Sequence, residues 1–296
     1  MAAEANVEIV ARRAQLVRGA LHSWAVVIYL FLFAPIVVLV LLSFNTNPSG
    51  TLPITGWTFH WYSDVANDYQ IQSAVKTTLQ IAAEVTLIST VVGTAAAFPL
   101  VRARLPFRSG IRVGFMLPIM IPGLLIGVSL LSFFTNVLGI QLTTQTAVIG
   151  QAVYTTPFVL LVVAARLEGF DRTLEQAASD LGANALRRFR YVILPLIGPA
   201  VFAGALFAFT LSLDEFVITL FLVGGQVTLP IYIYTQLKFG ITPAINAVAT
   251  LLIVASLGLS AVGFLLPALL RRSVRRVRAR RAARVSGAQP VASGPI

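Results

Sequence analysis

The residues of this chain best placed to do chemistry are three carboxylates embedded in long apolar stretches. Glu84 lies within Ser73–Val101, and Asp214 and Glu215 lie side by side within Leu196–Val223. An ionisable group in hydrocarbon costs about 3 kcal/mol by insertion measurements, so it is kept where it pairs, lines a watery path or relays protons. Adjacent helical positions differ by about 100° in direction, so Asp214 and Glu215 need not share a face. One can line a path while the other bonds to a neighbouring helix; a protonated carboxyl bonded to a neighbour is the purely structural alternative. Glu84 and Asp214 both fall in the outer half or middle of their stretches and could face one cavity. Acidic groups with few basic ones there favour a cationic cargo over phosphate or sulfate. Lys76, towards the outer end of its stretch, is accounted for by snorkelling to the interface.

Other chemistry is scarce. No cysteine occurs, so no thiolate centre can form, and the two histidines, His22 and His60, are far apart and outside the apolar cores. No histidine metal cluster is expected. The apolar stretches hold no Ser/His, paired-aspartate or His-Glu-x-x-His arrangement, which argues against an intramembrane enzyme. No Gly-x-x-x-x-Gly-Lys-Ser/Thr loop occurs, so the chain cannot itself hydrolyse a nucleotide by that chemistry.

The elements that must position the carboxylates are membrane helices. Of 296 residues, 57% are hydrophobic and only 11% charged, whereas a soluble domain carries about a quarter charged residues. The apolar residues fall in blocks of roughly 20 or more, the length a helix needs to cross about 30 Å of hydrocarbon. With no water to serve unpaired backbone groups, each block must be helical or part of a closed barrel, and alternating ten-residue strands are absent. Six spans are expected, at about Trp24–Phe44, Ser73–Val101, Gly110–Phe134, Thr146–Arg166, Leu196–Val223 and Pro243–Leu270.

The basic residues set the orientation. Arg12, Arg13 and Arg18 precede the first span; Arg102, Arg104, Arg108 and Arg112 flank the loop after the second. Arg166, Arg172, Arg187, Arg188 and Arg190 belong to the loop after the fourth, and eight arginines from Arg271 to Arg284 follow the sixth. Lys76 and Lys238 lie towards the other side. Six spans put every arginine in the cytoplasm, the positive-inside pattern with both termini inside. The net charge of +11 thus has a membrane cause, and no nucleic-acid partner is expected. The arginine tail reads as an anchor at anionic lipid, worth about 1 kcal/mol per basic residue near the surface. Three parts follow: a cytoplasmic segment 1–23, a membrane domain 24–270, and a basic cytoplasmic tail 271–296. Two external segments carry aromatics: Asn45–Gln72 with Trp57, Phe59, Trp61 and Tyr62, and Gly224–Thr242 with Tyr232 and Tyr234. They read as interfacial belts or as a docking surface for an external partner.

The cytoplasmic loop Leu167–Pro195 is too polar for lipid yet has internal helix signals. Thr173 can cap a helix, with Gln176 three residues later completing a capping box. Leu174, Ala177, Ala178 and Leu181 recur at i, i+3, i+4 and i+7 in one narrow apolar stripe. Gly182 follows where a left-handed C-terminal cap is common. The expected helix, Leu174–Leu181, is only two turns long and needs something to pack on. Spacing leaves two options open: this protein's own membrane core, or a cleft on a cytoplasmic partner.

The run Leu174-Glu175-Gln176-Ala177-Ala178-Ser179-Asp180-Leu181-Gly182-Ala183, followed by Val192-Ile193-Leu194-Pro195, resembles the EAA loop of ABC-importer permeases. That family's pattern is Glu-Ala-Ala, three residues, Gly, nine residues, Ile, one residue, Leu-Pro. The spacing is kept, with Gln176 in place of the glutamate and Val192 in place of the isoleucine. Gln176 keeps the capping chemistry but puts a specific ion pair at that position in doubt. The resemblance implies an all-α membrane protein with the six-helix type I ABC-importer permease fold, residing in the bacterial inner membrane. It also implies that Leu174, Glu175, Gln176, Ala177, Ala178, Leu181 and Gly182 form a coupling helix seated in a groove of an ATPase subunit. The partners implied are a second permease, an ABC ATPase dimer and an extracytoplasmic solute-binding protein, within membrane lipids. ATP, with magnesium, would be bound by the ATPase, and this chain would hold no cofactor and do no covalent chemistry.

A narrower resemblance concerns the cargo. Phe209-Thr210-Leu211-Ser212-Leu213-Asp214-Glu215-Phe216-Val217-Ile218-Thr219 is similar to the fifth span of spermidine/putrescine permeases, as are Leu229-Pro230-Ile231-Tyr232 and Asn246-Ala247-Val248-Ala249-Thr250. The likeness covers most of Tyr154–Leu257 and extends more loosely to the first span. It implies a polyamine or related organic cation passing Asp214, Glu215 and Glu84. An ABC permease for a different small solute, and a proton-coupled secondary transporter using Glu84 and Asp214 as a relay, are the competing readings.

Overall fold

A computed structural model describes residues 2–103, 106–240, 242–258 and 261. Among them the apolar blocks are helical, as a backbone without water partners requires, and no strand forms beyond one isolated antiparallel bridge between Asn45 and Trp57. The first helices are α1 (Ala2–Leu42), α2 (His60–Asn67), α3 (Tyr69–Arg102), α4 (Arg108–Met120), α5 (Gly123–Ser132) and α6 (Thr144–Glu168). They continue with α7 (Thr173–Asp180), α8 (Ala185–Arg188), α9 (Leu194–Asp214), α10 (Val217–Leu222) and α11 (Leu229–Phe239), followed by α12 (Pro243–Gly258). The chain divides into two units, one formed by residues up to Asp68 with Ile233–Ile253, the other chiefly by Tyr69–Tyr232.

In the first unit, α1 carries an apolar span over Val17–Leu42 with none of its most apolar stretch buried. Leu30, Phe31 and Leu32 all face outward, as expected of a helix meant for lipid rather than for a protein core. After α1 the chain folds around Asn45, which is fully buried. Its amide donates to the carbonyls of Thr51 at 3.0 Å and Pro53 at 3.2 Å, and its Oδ1 accepts from the Asn47 and Thr55 amides. Trp61 donates its indole N–H to the Asn45 carbonyl at 2.8 Å, so this aromatic is tied inward while Trp57 and Phe59 stay exposed.

In the second unit α6 is the central helix, with 67% of its most apolar stretch buried, and α3 and α9 pack against it. Small residues allow the close approach usual between membrane helices. A Cβ at Gly93 of α3 would lie 2.9 Å from the Val159 Cβ and 3.0 Å from the Thr156 carbonyl oxygen of α6. Two apolar clusters result. One joins Leu100, Val101, Leu160, Val163, Leu167 and Ile197, where α3 and α6 end and α9 begins. The other joins Ile81, Val85, Ile126, Val148, Ile218 and Leu222 at the opposite ends of α3 and α6.

Two spans expected to be continuous are broken. The third bends by 98° between Ser109–Met120 and Gly123–Val137. Ile121 precedes Pro122 and is extended (φ −84°, ψ 128°), as the proline ring demands of its predecessor, and Pro122 has no amide to continue the ladder. The fifth ends as α9 at Asp214, leaves the helix at Glu215 (ψ 113°) and resumes as α10. The sixth is helical over Pro243–Gly258. Its expected end near Leu270, the tail Arg271–Arg284, the segment after it and Arg104 lie outside the described residues.

Candidate functional site

The loop between α6 and α9 forms a two-turn helix, α7, one residue earlier than its periodicity suggests. The capping box expected from Thr173 and Gln176 does not form. Thr173 is itself the first helical residue, and its amide donates to Asp171 Oδ1 at 2.9 Å. The short carboxylate two residues upstream reaches the open amide, a local bond that Asp makes readily. Hydrogen bonds from the Thr173 amide and hydroxyl hold the Asp171 carboxyl below its ordinary pKa.

The other end of α7 follows the sequence reading. Gly182 has φ +79°, its amide bonds to the Ser179 carbonyl, and the Ala183 amide bonds to the Ala178 carbonyl at 3.0 Å. This is the Schellman closure, which places a left-handed residue that glycine adopts without steric cost. No residue of α7 is buried. Leu174 is 48% and Leu181 89% exposed, Gln176 and Ala177 are exposed, and Ala178 is half-buried. Of the two packing options, burial of the stripe in this protein's own core is not what the chain does.

What orients α7 is polar. Arg102, the last residue of α3, forms an ion pair with Glu175 at 2.5 Å. Its guanidinium also lies 5.1 Å from the centre of the Phe170 ring. Arg188 donates to Ser179 at 2.9 Å, and Arg102, Arg172, Glu175, Ser179 and Arg188 line a polar cleft of about 450 Å³. Sequence reasoning counted Arg102 only for topology, because a charge at a span end satisfies that rule whatever it touches.

The second region is the break in the fifth span. Glu215 turns its carboxylate onto the start of α10, accepting from the Ile218 amide at 2.8 Å, the Thr219 amide at 2.9 Å and the Thr219 hydroxyl at 2.7 Å. An acidic group at a helix start satisfies orphan amides and complements the dipole. Across the break sits Gln151 of α6, 1% exposed. Its Nε2 donates to Thr219 Oγ1 at 2.6 Å, and its Oε1 accepts from the Ser212 hydroxyl of α9. One side chain thus holds both halves of the span. Gln151 escaped the sequence reading because it carries no charge, although a glutamine in an apolar span is itself costly and needs partners. Asp214, between these bonded groups, is exposed and has no hydrogen-bond or ion-pair partner among the described residues.

Glu84 is placed differently. It lies on α3 and accepts from Gln80 Nε2 at 3.0 Å and Gln145 Nε2 at 2.9 Å. A pocket of about 330 Å³ nearby is lined by Thr77, Gln80, Thr143, Thr144 and Gln226 among others, with neither Glu84 nor Asp214 in its wall. Among the described residues no cluster of three or more His, Asp or Glu could hold a metal ion.

The family described as binding-protein-dependent transport system inner membrane component matches residues 89–278. The putrescine transport system permease protein PotI of Escherichia coli (strain K12) is 38% identical over 254 residues, covering 82% of this chain and 89% of that protein. The spermidine/putrescine transport system permease protein PotC of the same strain is 37% identical over 247 residues, covering 82% and 90%. In fold, the chain resembles a bacterial ABC transporter involved in the import of the acidic polysaccharide alginate, with TM-score 0.69 at 15% identity, covering 88% of this chain and 96% of that one.

Proposed function

This chain belongs to the family of binding-protein-dependent transport system inner membrane components, and from that premise we propose that it carries polyamines or a related organic cation past Asp214. As a permease subunit it forms part of the membrane pathway of an ABC importer. It pairs with a second permease, and an external binding protein delivers the solute to Asn45–Gln72 and Gly224–Thr242. An ATPase dimer receives α7 in a groove and binds and hydrolyses ATP, so this chain is not catalytic. Both termini face the cytoplasm.

The observation that carries the cargo assignment is the broken fifth span. Helix α9 stops at Asp214, so the carboxylate stands at the negative end of a helix whose last carbonyls lack intrahelical partners. Half-helix ends of this kind coordinate cations in other membrane carriers. Carboxylate and carbonyl oxygens accept from the three N–H donors of an ammonium group, and an anionic solute would be repelled. Glu215 and Gln151 are committed to the break itself, so they position Asp214, which is left free to meet the solute. Glu84, held by two glutamine amides, is a secondary acidic group on the path.

Closure of the ATPase drives the exposed α7 stripe inward with its groove, and the spans rearrange around the solute. Two small alanines at the centre of that stripe permit close seating. Uptake of labelled putrescine and spermidine by the reconstituted importer tests the cargo assignment. Asp214→Asn should lower it at least tenfold while Lys76→Gln leaves it within about twofold. Equal effects of the two substitutions would sink the role given to Asp214.

A further inference from the structure

Helix α7 is joined to the membrane helices by its two chain connections, but it is also gripped from the side. Arg102 ends α3, a helix distant in sequence, and touches the loop twice: through the ion pair with Glu175 and through its stacking on Phe170. One turn earlier on α3, Phe98 packs edge-on against Phe189, beyond the far end of α7, with ring centres 5.5 Å apart. The same end of α3 buries Leu100 and Val101 against Leu167 and Ile197, the flanks of the loop on α6 and α9. Both contacts made by Arg102 are shielded, its side chain being 19% exposed and that of Glu175 22%, so water screens the pair far less than a surface one.

We propose that Arg102 is a positioning residue for coupling: it fixes the angle at which α7 is presented and passes displacement of α7 directly into α3. The inference rests on the reading of α7 as the ATPase-docking helix. A two-turn helix with no buried residue has no packing of its own to set its direction. A guanidinium supplies direction, because its planar fork can pair with a carboxylate while its face rests on a ring. Gln176, where the related loops carry glutamate, has no charge to offer an outside partner. Glu175 has one and directs it inward to α3. The charge beside the apolar stripe is thereby kept for the protein's own frame.

The test uses the whole reconstituted importer, with its partner permease, ATPase and binding protein, and reads solute transported per ATP hydrolysed. Arg102→Glu and Glu175→Arg should each lower that ratio at least fivefold while the ATPase still co-purifies. The charge-swapped double variant should return to within about twofold of the parent. Arg102→Gln, of similar length without the charge, should behave as the single reversals do. Ala177→Asp serves as the control for docking. If it leaves ATP hydrolysis fully stimulated, the docking reading fails and this inference with it. If it uncouples but Arg102→Glu leaves the ratio unchanged, or the swap fails to restore it, only the inference about Arg102 is overturned. Loss of the ATPase from every Arg102 variant would overturn it too, since the residue is assigned to orient the docked helix and not to hold the subunit.

Discussion

Replacing Gln151 by leucine, which keeps the side chain's size and removes both of its polar ends, should loosen the break in the fifth span. Interhelical side-chain hydrogen bonds in membranes are worth about 0.6 kcal/mol on average and up to about 1.7 kcal/mol. On the Thr219 side the loss is small, because that hydroxyl keeps its bonds to the Glu215 carbonyl and carboxylate. On the other side the Ser212 hydroxyl, 2% exposed, loses its partner, and a buried unsatisfied group costs about 1–3 kcal/mol. It can recover part of this by turning to a carbonyl of its own helix, as Thr210 does with Leu206. The sum is about 2 kcal/mol, or roughly a 30-fold fall in the folded-to-unfolded ratio. Reversible unfolding in mixed micelles titrated with sodium dodecyl sulfate measures it. A double-mutant cycle with Ser212→Ala isolates the pair, with an expected coupling of about 0.6–1.7 kcal/mol. A cost below about 0.5 kcal/mol, with coupling indistinguishable from zero, would refute the idea that Gln151 clamps α9 to α10.

Three further outcomes are expected. Gly93→Ala should destabilise the α3–α6 pair by about 1–3 kcal/mol in the same titration, because the new Cβ meets backbone atoms of Thr156 and Leu160 at 3.0 and 3.1 Å that cannot swing away; a neutral result would mean the helices separate freely. Asp171 has a lowered folded-state pKa, so its cap on α7 is present above the ordinary value of 3.8 and is lost as pH falls through the lower folded value. Amide exchange of α7, corrected for intrinsic rates, should therefore stay protected at neutral pH and open only as pH falls below the ordinary carboxyl value of 3.8, a transition that Asp171→Ala should abolish. Gly182→Asp forces a side chain into the left-handed region at φ +79°, at about 1 kcal/mol or more. It should abolish transport-linked ATP hydrolysis while membrane insertion survives, and full stimulation of the ATPase in that variant would contradict the docking of α7.

The helical membrane class, the helical state of the apolar blocks among the described residues and the loop helix were legible in the amino-acid order, because each rests on a local rule. Hydrocarbon forces internal backbone bonding over any apolar run of sufficient length. A glycine after an i, i+3, i+4, i+7 stripe ends a helix wherever it occurs, and Gly182 does so here. The bend at Pro122 was legible in principle, since the ring restricts Ile121 whatever surrounds it. The N-terminal cap of α7 was misplaced because Thr173 and Asp171 offer competing local acceptors, and backbone angles decide between them.

What tertiary structure alone decided is which polar groups meet. Asp214 and Glu215 are neighbours of like charge, yet one caps α10 with three hydrogen bonds and the other stands free. Gln151 and Arg102 lie more than 60 residues from the groups they hold, a separation over which periodicity carries no information. Sequence set the chain in the membrane because hydrophobic transfer sums over residues one at a time. A hydrogen bond or an ion pair depends on angstrom-scale distance and angle between two groups, and only the folded arrangement of α3, α6, α7 and α9 supplies those.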